Sequence, residues 1–272
     1  MSEQKTPFSD LEVQNHQTVR HLILNRPQSK NGLTVELVSA LKGAVEEAGR
    51  DASVRAIVLS GHGGSFCSGL DLKAAIEMVQ SIHSGAGGTG ISNEDRMRNY
   101  FHGLIRAIRN VDKPVLAFVD GPAAGFGCDL ALACDLRVGT ARASFAELFV
   151  RRGLMPDGGS TYTLPRLVGV GKALELMMLG ESVSADDALR LGILNRIVEN
   201  SDGAAQFAER LAAGPPGVLR EIKRAVYAAQ NSSLDDALEG EVRGQMRCLH
   251  TADFAEGMDA FFNKRPPRFT GQ

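Results

Sequence analysis

Thr18 to Leu24 and Val54 to Ser60 are short runs rich in β-branched and apolar residues. They are closed by Asn-Arg-Pro and Gly-His-Gly-Gly, turn chemistry that marks both runs as predicted strands. Between them, Thr34 to Ala48 carries Leu37, Leu41, Ala44, Val45 and Ala48 at helical spacing. Val115 to Val119, opened by Pro114 and closed by Asp-Gly-Pro, is a third, fully apolar strand. Strands alternating with helices predict an α/β fold with a mostly parallel sheet. From Asp157 onward the pattern becomes helical: Leu164 to Leu179, Ser184 to Leu191, Ala204 to Ala213, Val218 to Ala229 and Leu234 to Leu249 are all amphipathic. Ser184-Ala-Asp-Asp and Ser233-Leu-Asp-Asp supply N-cap starts, with acids placed at the positive end of the helix dipole. Helices without a sheet of their own find apolar partners in another subunit, so an oligomer is expected.

The chain has 272 residues, and the pattern divides it into a core over residues 1–200 and a helical assembly region over 201–272. Lys plus Arg is 30 against 32 Asp plus Glu, a net charge of −2, which leaves no basic face for a nucleic acid. No apolar run approaches the roughly 18 residues that span a bilayer. The polar start, Met-Ser-Glu-Gln-Lys-Thr, lacks the apolar core of a signal peptide, so a cytoplasmic protein is expected. Cys67, Cys128, Cys134 and Cys248 form no Cys-x-x-Cys pair and are read as reduced, small apolar residues. No metal site is expected, since the histidines offer no His-x-x-x-His either.

Chemistry concentrates in two glycine-rich segments. Gly61-His-Gly-Gly-Ser-Phe-Cys-Ser-Gly-Leu-Asp71 and Asp120-Gly-Pro-Ala-Ala-Gly-Phe-Gly-Cys-Asp-Leu130 each follow a strand and lead into a helix. Glycine lets a ligand approach the backbone, and a helix start leaves N–H groups free to hold an anion or a developing oxyanion. A Gly-x-Gly-x-x-Gly match at Gly85 to Gly90 lacks the preceding strand of a dinucleotide site and is read as part of a loop, Ser81 to Ser92.

Phe66-Cys-Ser-Gly-Leu-Asp71, Asp120 to Asp129 and Cys134-Asp-Leu-Arg137 resemble the enoyl-CoA hydratase/isomerase (crotonase) superfamily. The resemblance continues through Met155-Pro-Asp-Gly-Gly159, Leu164-Pro-Arg-Leu-Val-Gly169 and Lys264-Arg-Pro-Pro-Arg-Phe269, and covers Val13 to Phe269. It implies a crotonase-like spiral of ββα units with a helical C-terminal trimerisation region, a homotrimer or dimer of trimers, and an acyl-CoA thioester as substrate. No separate cofactor is implied, because coenzyme A belongs to the substrate. The family binds the thioester oxygen through two backbone N–H groups, which by position are those of Leu70 and Phe126.

Enolate chemistry also needs a group that moves protons. The resemblance offers Asp129, where hydratases carry Glu; Phe149, where they carry a second Glu; and Asp157. The missing Glu weakens the hydratase pattern, and Glu147, two residues earlier, is expected to point elsewhere. Asp157 matches the acid of isomerase-like members, especially the ring-opening isomerase of phenylacetate breakdown. The expectation is therefore an isomerase with Asp157 as base and Asp129 second. A 2-enoyl-CoA hydratase and a catalytically weak acyl-CoA-binding scaffold are the alternatives. Arg26, Ser68, Lys73 and Lys264 match places where relatives meet the CoA moiety.

Overall fold

The computed structural model describes residues 3–4, 9–71, 73, 76 and 92–272. The expected loop at Ser81 to Ser92, apart from its last residue, lies outside them. A hairpin of β2 (Leu11–His16) and β3 (Val19–Leu24), flanked by the two-residue β1 (Glu3–Gln4), begins the fold. Helix α1 (Val35–Arg50) crosses over to β4 (Ala56–Gly61), which pairs in parallel with β3. Helix α2 (Asn93–Arg96) passes through one π-helical turn, Met97–Phe101, into α3 (His102–Asn110) and then β5 (Val115–Val119). After β6 (Pro122–Ala124) and α4 (Phe126–Ala133), β7 (Leu136–Gly139) returns to the main sheet and β8 (Ser144–Ala146) joins β6.

Described strands thus form a sheet in the order β1-β2-β3-β4-β5-β7-β10, with β10 at Arg196–Ile197, and a small sheet β6-β8-β9, with β9 at Ser182–Ser184. From β3 to β10 every pairing is parallel, as the alternation of strands and helices predicts. The three-residue strands of the second sheet are too short to leave a periodic signal and were not among the predicted strands.

Thr34 caps α1, its Oγ1 accepting from Leu37 N at 3.2 Å, and the buried Leu37, Leu41, Val45 and Ala48 are the residues whose spacing predicts that helix. The predicted helix Leu164 to Leu179 is two: α5 (Ser160–Val168) and α6 (Val170–Leu179). They break at Gly169, whose φ of 80° leaves the helical region. Helices α7 (Ala185–Arg190), α8 (Ser201–Ala212), α9 (Pro216–Ala229), α10 (Leu234–Leu249) and α11 (Ala252–Phe262) follow. The last of these was not among the predicted helices. Ser233 and Asp236 close a capping box on α10.

Helix α8 buries Ala204, Ala208 and Ala212 against Val19, Ala56, Val58, Leu116 and Val138 of the main sheet. The opposite layer is α1 with the larger core around Leu37, Leu104 and Phe66. Helix α9 is latched to the same body by buried polar contacts. Tyr227 donates to Asp135 Oδ1 at 2.6 Å, and Lys223 reaches Asp135 Oδ2 at 2.8 Å and the carbonyls of Ile108 and Lys113.

Candidate active site

The two glycine-rich segments lie side by side. Phe66 N donates to Pro122 O at 3.0 Å and Ala124 N to Cys67 O at 2.9 Å, stitching the turn after β4 to β6. Two glycines permit the contact. Gly69 has φ 92°, and a Cβ there would stand 2.9 Å from Ala124 O and 3.2 Å from Phe126 N. Gly125, with φ 53°, is the N-cap of α4 and frees its first N–H groups. Among the described residues, no acceptor is found for the N–H of Leu70 or of Phe126. Both sit where the segments touch, an arrangement able to hold a negatively charged oxygen. The Phe126 ring is buried and meets Phe101 edge-on at 5.2 Å.

One helical turn further, Asp129 is 1% exposed. Its Oδ2 accepts from Gly158 N at 3.1 Å and its Oδ1 from Ser160 N at 3.0 Å. The carboxyl therefore caps the start of α5 and fixes the Pro-Asp-Gly-Gly turn. Gly158 has to be glycine, because a Cβ would stand 2.6 Å from Asp129 Cγ and Oδ2. Burial raises the Asp129 pKa and the charge of Asp157 adds to the rise, while the Ser160 and Gly158 amides pull it back. Asp157 itself is half-buried, with Oδ1 unpartnered. Burial raises its pKa too, and the charge of His102 opposes the rise.

His102 is placed by the π-helical turn that precedes it. Its Nε2 stands 2.9 Å from the Asp157 carbonyl, which can only accept, so Nε2 carries the proton. Phe101 on Phe126 and His102 on Asp157 are consecutive, so one turn of chain braces both the N–H donor and the carboxylate. π-bulges recur at functional sites for this kind of re-aiming.

Glu147, expected to point elsewhere, is 2% exposed and belongs to the same cluster. Burial is the main cause of its raised pKa, followed by the charge of Asp129, with Asp157 also contributing. Neither of its oxygens has a hydrogen-bond partner, and Ser160 Oγ, close enough to act on both Glu147 and Asp129, is aligned with neither. Glu147 directly follows β8, where Phe145 and Ala146 are buried as well. Phe149 packs against the hydrophobic core. His102 and Ser160 were not singled out in the sequence.

The residues matched to the CoA moiety are less concentrated. The Arg26 guanidinium bridges Asp10 at 3.1 Å and Asp71 at 2.9 Å, and Asp71 Oδ1 also accepts from Lys73 N at 3.0 Å. Ser68 Oγ donates to Ser29 O at 3.2 Å, beside the same turn. Lys264 lies exposed after α11, with φ 51°, and no hydrogen bond or ion pair among the described residues joins it to the other three. Cys67, Cys128 and Cys134 are buried and free, and burial pushes the Cys67 and Cys134 thiols up to about 12. Such thiols carry no nucleophilic chemistry at neutral pH.

Compared with known families, residues 14–272 match the model described as enoyl-CoA hydratase/isomerase. The chain belongs to the enoyl-CoA hydratase/isomerase family. It is 37% identical over 254 residues to a "Probable enoyl-CoA hydratase" of Rhodobacter capsulatus, covering 92% of this chain and 94% of that one. It is 35% identical to the 1,2-epoxyphenylacetyl-CoA isomerase of Escherichia coli, covering 93% and 95%. Among solved structures, the enoyl-CoA hydratase of Bacillus anthracis superposes with a TM-score of 0.87 at 29% identity, over 97% of this chain and all of that one (100%). The crotonase fold expected from the motifs is therefore the fold of this family member, and an acyl-CoA thioester fits as its substrate class.

Proposed function

We propose that this family member is an isomerase that moves a double bond, or opens an epoxide ring, through a thioester enolate. In this reading the Leu70 and Phe126 N–H groups hold the thioester oxygen. Asp157 removes a proton from one carbon and returns it at another, so a single carboxylate completes the cycle and no water is consumed. The observation that carries the reading is the unequal state of the two aspartates. Asp129 has both oxygens committed to backbone N–H groups, whereas Asp157 keeps a free one. Asp129 then acts by shaping the turn that presents Asp157. Phe149, in place of a second glutamate, supports the absence of a hydrating pair. Arg26, Ser68, Lys73 and Lys264 remain the proposed contacts to CoA, with Arg26 reaching it while braced by Asp10 and Asp71.

Hydration is the second reading, favoured by the hydratase names among the relatives and by the placement of Glu147 beside Asp129. Absorbance of the conjugated thioester separates the two. Isomerisation of a 3-enoyl-CoA creates it, and hydration of a 2-enoyl-CoA removes it. Asp157→Asn is expected to lower kcat by about 10²- to 10⁴-fold on the 3-enoyl substrate. Normal isomerisation by that variant rules out Asp157 as the base. Binding of acyl-CoA esters without turnover across a broad panel supports the scaffold instead.

Assembly is proposed on the same footing. Leu234, Leu238, Val242 and Met246 are exposed along one stripe of α10, next to Ile222 and Val226 of α9. Covering such a stripe is what a homotrimer or dimer of trimers accomplishes. A cytoplasmic location remains an expectation; none of the described helices is long and apolar enough to cross a membrane.

A further inference from the structure

Four buried polar atoms of the described residues gather around Asp129 without a hydrogen-bond partner: both oxygens of Glu147, Oδ1 of Asp157 and Oγ of Ser160. Among the described residues no cation is paired with Glu147 or Asp129, and the charge of His102 acts on Asp157. Asp129 is held by backbone N–H groups, whereas Glu147 has only the Cys128 thiol and Ser160 hydroxyl beside it, neither aligned as a hydrogen bond. Cys128 and Asp129 face Glu147 from α4, Asp157 and Ser160 from the turn and start of α5, and His102 stands one step further, on the Asp157 carbonyl. The Cys128 thiol, raised well above its ordinary value chiefly by burial, stays neutral, so the carboxyls and the nearby His102 set the charge of the pocket. When carboxyls share a dry pocket, they titrate as one system and cannot all be ionised. Glu147 is the member with no N–H donor to stabilise a negative charge.

We propose that Glu147 is a positioning acid: it keeps one proton inside the carboxyl cluster, so that Asp129 can hold the turn and Asp157 can work beside one fixed negative charge rather than two. The inference rests on Asp157 being the base. An enolate forming beside Asp157 is itself an anion, and ionising Glu147 adds a further like charge to the same cluster. Activity therefore falls when Glu147 loses its proton on the alkaline side. The sign for stability is the same. The folded-state pKa of Glu147 is raised above its unfolded value, so its contribution is complete in acid and is lost as pH rises toward the folded pKa.

The test compares Glu147→Gln, which is neutral at every pH, with Glu147→Ala and the wild type. At neutral pH, the infrared band of a protonated carboxyl is expected in the wild type and is reduced in Glu147→Gln. The alkaline fall in kcat is expected to flatten in Glu147→Gln, and its kcat to exceed that of Glu147→Ala at least fivefold. An unchanged band, or the same alkaline limb in the Gln variant, overturns the proposal. If Glu147→Gln does not fold, infrared titration of the wild type decides. The proposal needs a carboxyl that keeps its proton above neutral pH, and full ionisation by then overturns it. Turnover that survives Asp157→Asn while the carboxyl band persists refutes the base assignment and leaves the protonated Glu147 standing.

Discussion

At the scale of single residues, the site assigns different work to chemically similar groups by what surrounds them. Asp129, Glu147 and Asp157 are all carboxyls raised by burial, but one is clamped by two N–H groups, one is unpartnered and sealed, and one has an unpartnered oxygen at a half-buried position. A base must be ionised to act, so burial of Asp157 moves the acid limb of kcat/KM upward from the ordinary aspartate value. The charge of His102 pulls in the opposite direction. His102→Gln keeps a donor for the Asp157 carbonyl but removes that charge, and is expected to move the acid limb to higher pH. A pH profile with the limb in its original place means that His102 only braces the turn. These pairings were poorly legible in the sequence, because residues 102, 129, 147, 157 and 160 meet through tertiary folding and share no local period. Asp129 and Asp157 were legible through motifs, whereas Glu147 looked misplaced when counted along a helix. It instead precedes a short 3₁₀ turn at the end of β8, where helical counting does not apply.

At the scale of elements, the decisive feature is the contact between the turn after β4 and the start of α4. Both segments were legible as strand, glycine turn and helix, because each step of that pattern has its own local chemistry. Their placement on neighbouring strands was also expected, and β4 and β5 do pair in parallel; the register of the contact was not legible. Gly69 sits at the contact with φ 92°. Gly69→Ala introduces a Cβ next to Ala124 O and Phe126 N in a backbone region that alanine disfavours. The expected result is a loss of about 1–3 kcal/mol in chemical denaturation. A fall of about 10²-fold or more in kcat is expected with it, as the two donors separate. Full activity in Gly69→Ala means that the spacing of these N–H groups does not govern the reaction. The break at Gly169 shows the limit of periodicity from the other side. The apolar spacing from Leu164 to Leu179 runs straight through a glycine that the backbone uses to change direction.

At the scale of the whole molecule, a chain of net charge −2 offers no general attraction to a polyanion such as CoA, so binding must come from local donors. Assembly is where the surface departs most from that of a self-sufficient monomer. Leu234, Leu238, Val242 and Met246 recur every four residues along α10, the spacing of a single helix face. Leu238→Glu is expected to shift light-scattering mass toward the monomer at micromolar concentration while circular dichroism stays helical. An unaltered mass places the subunit contact on another face. The latch beneath that surface lies within one chain. Asp135, which anchors Tyr227 and Lys223, leads into β7, so α9 is tied to the main sheet of its own subunit. The protein has no tryptophan and three tyrosines, and two of these, Tyr162 and Tyr227, lie against Arg109. Its intrinsic emission therefore reports on the docking of α9 within the subunit.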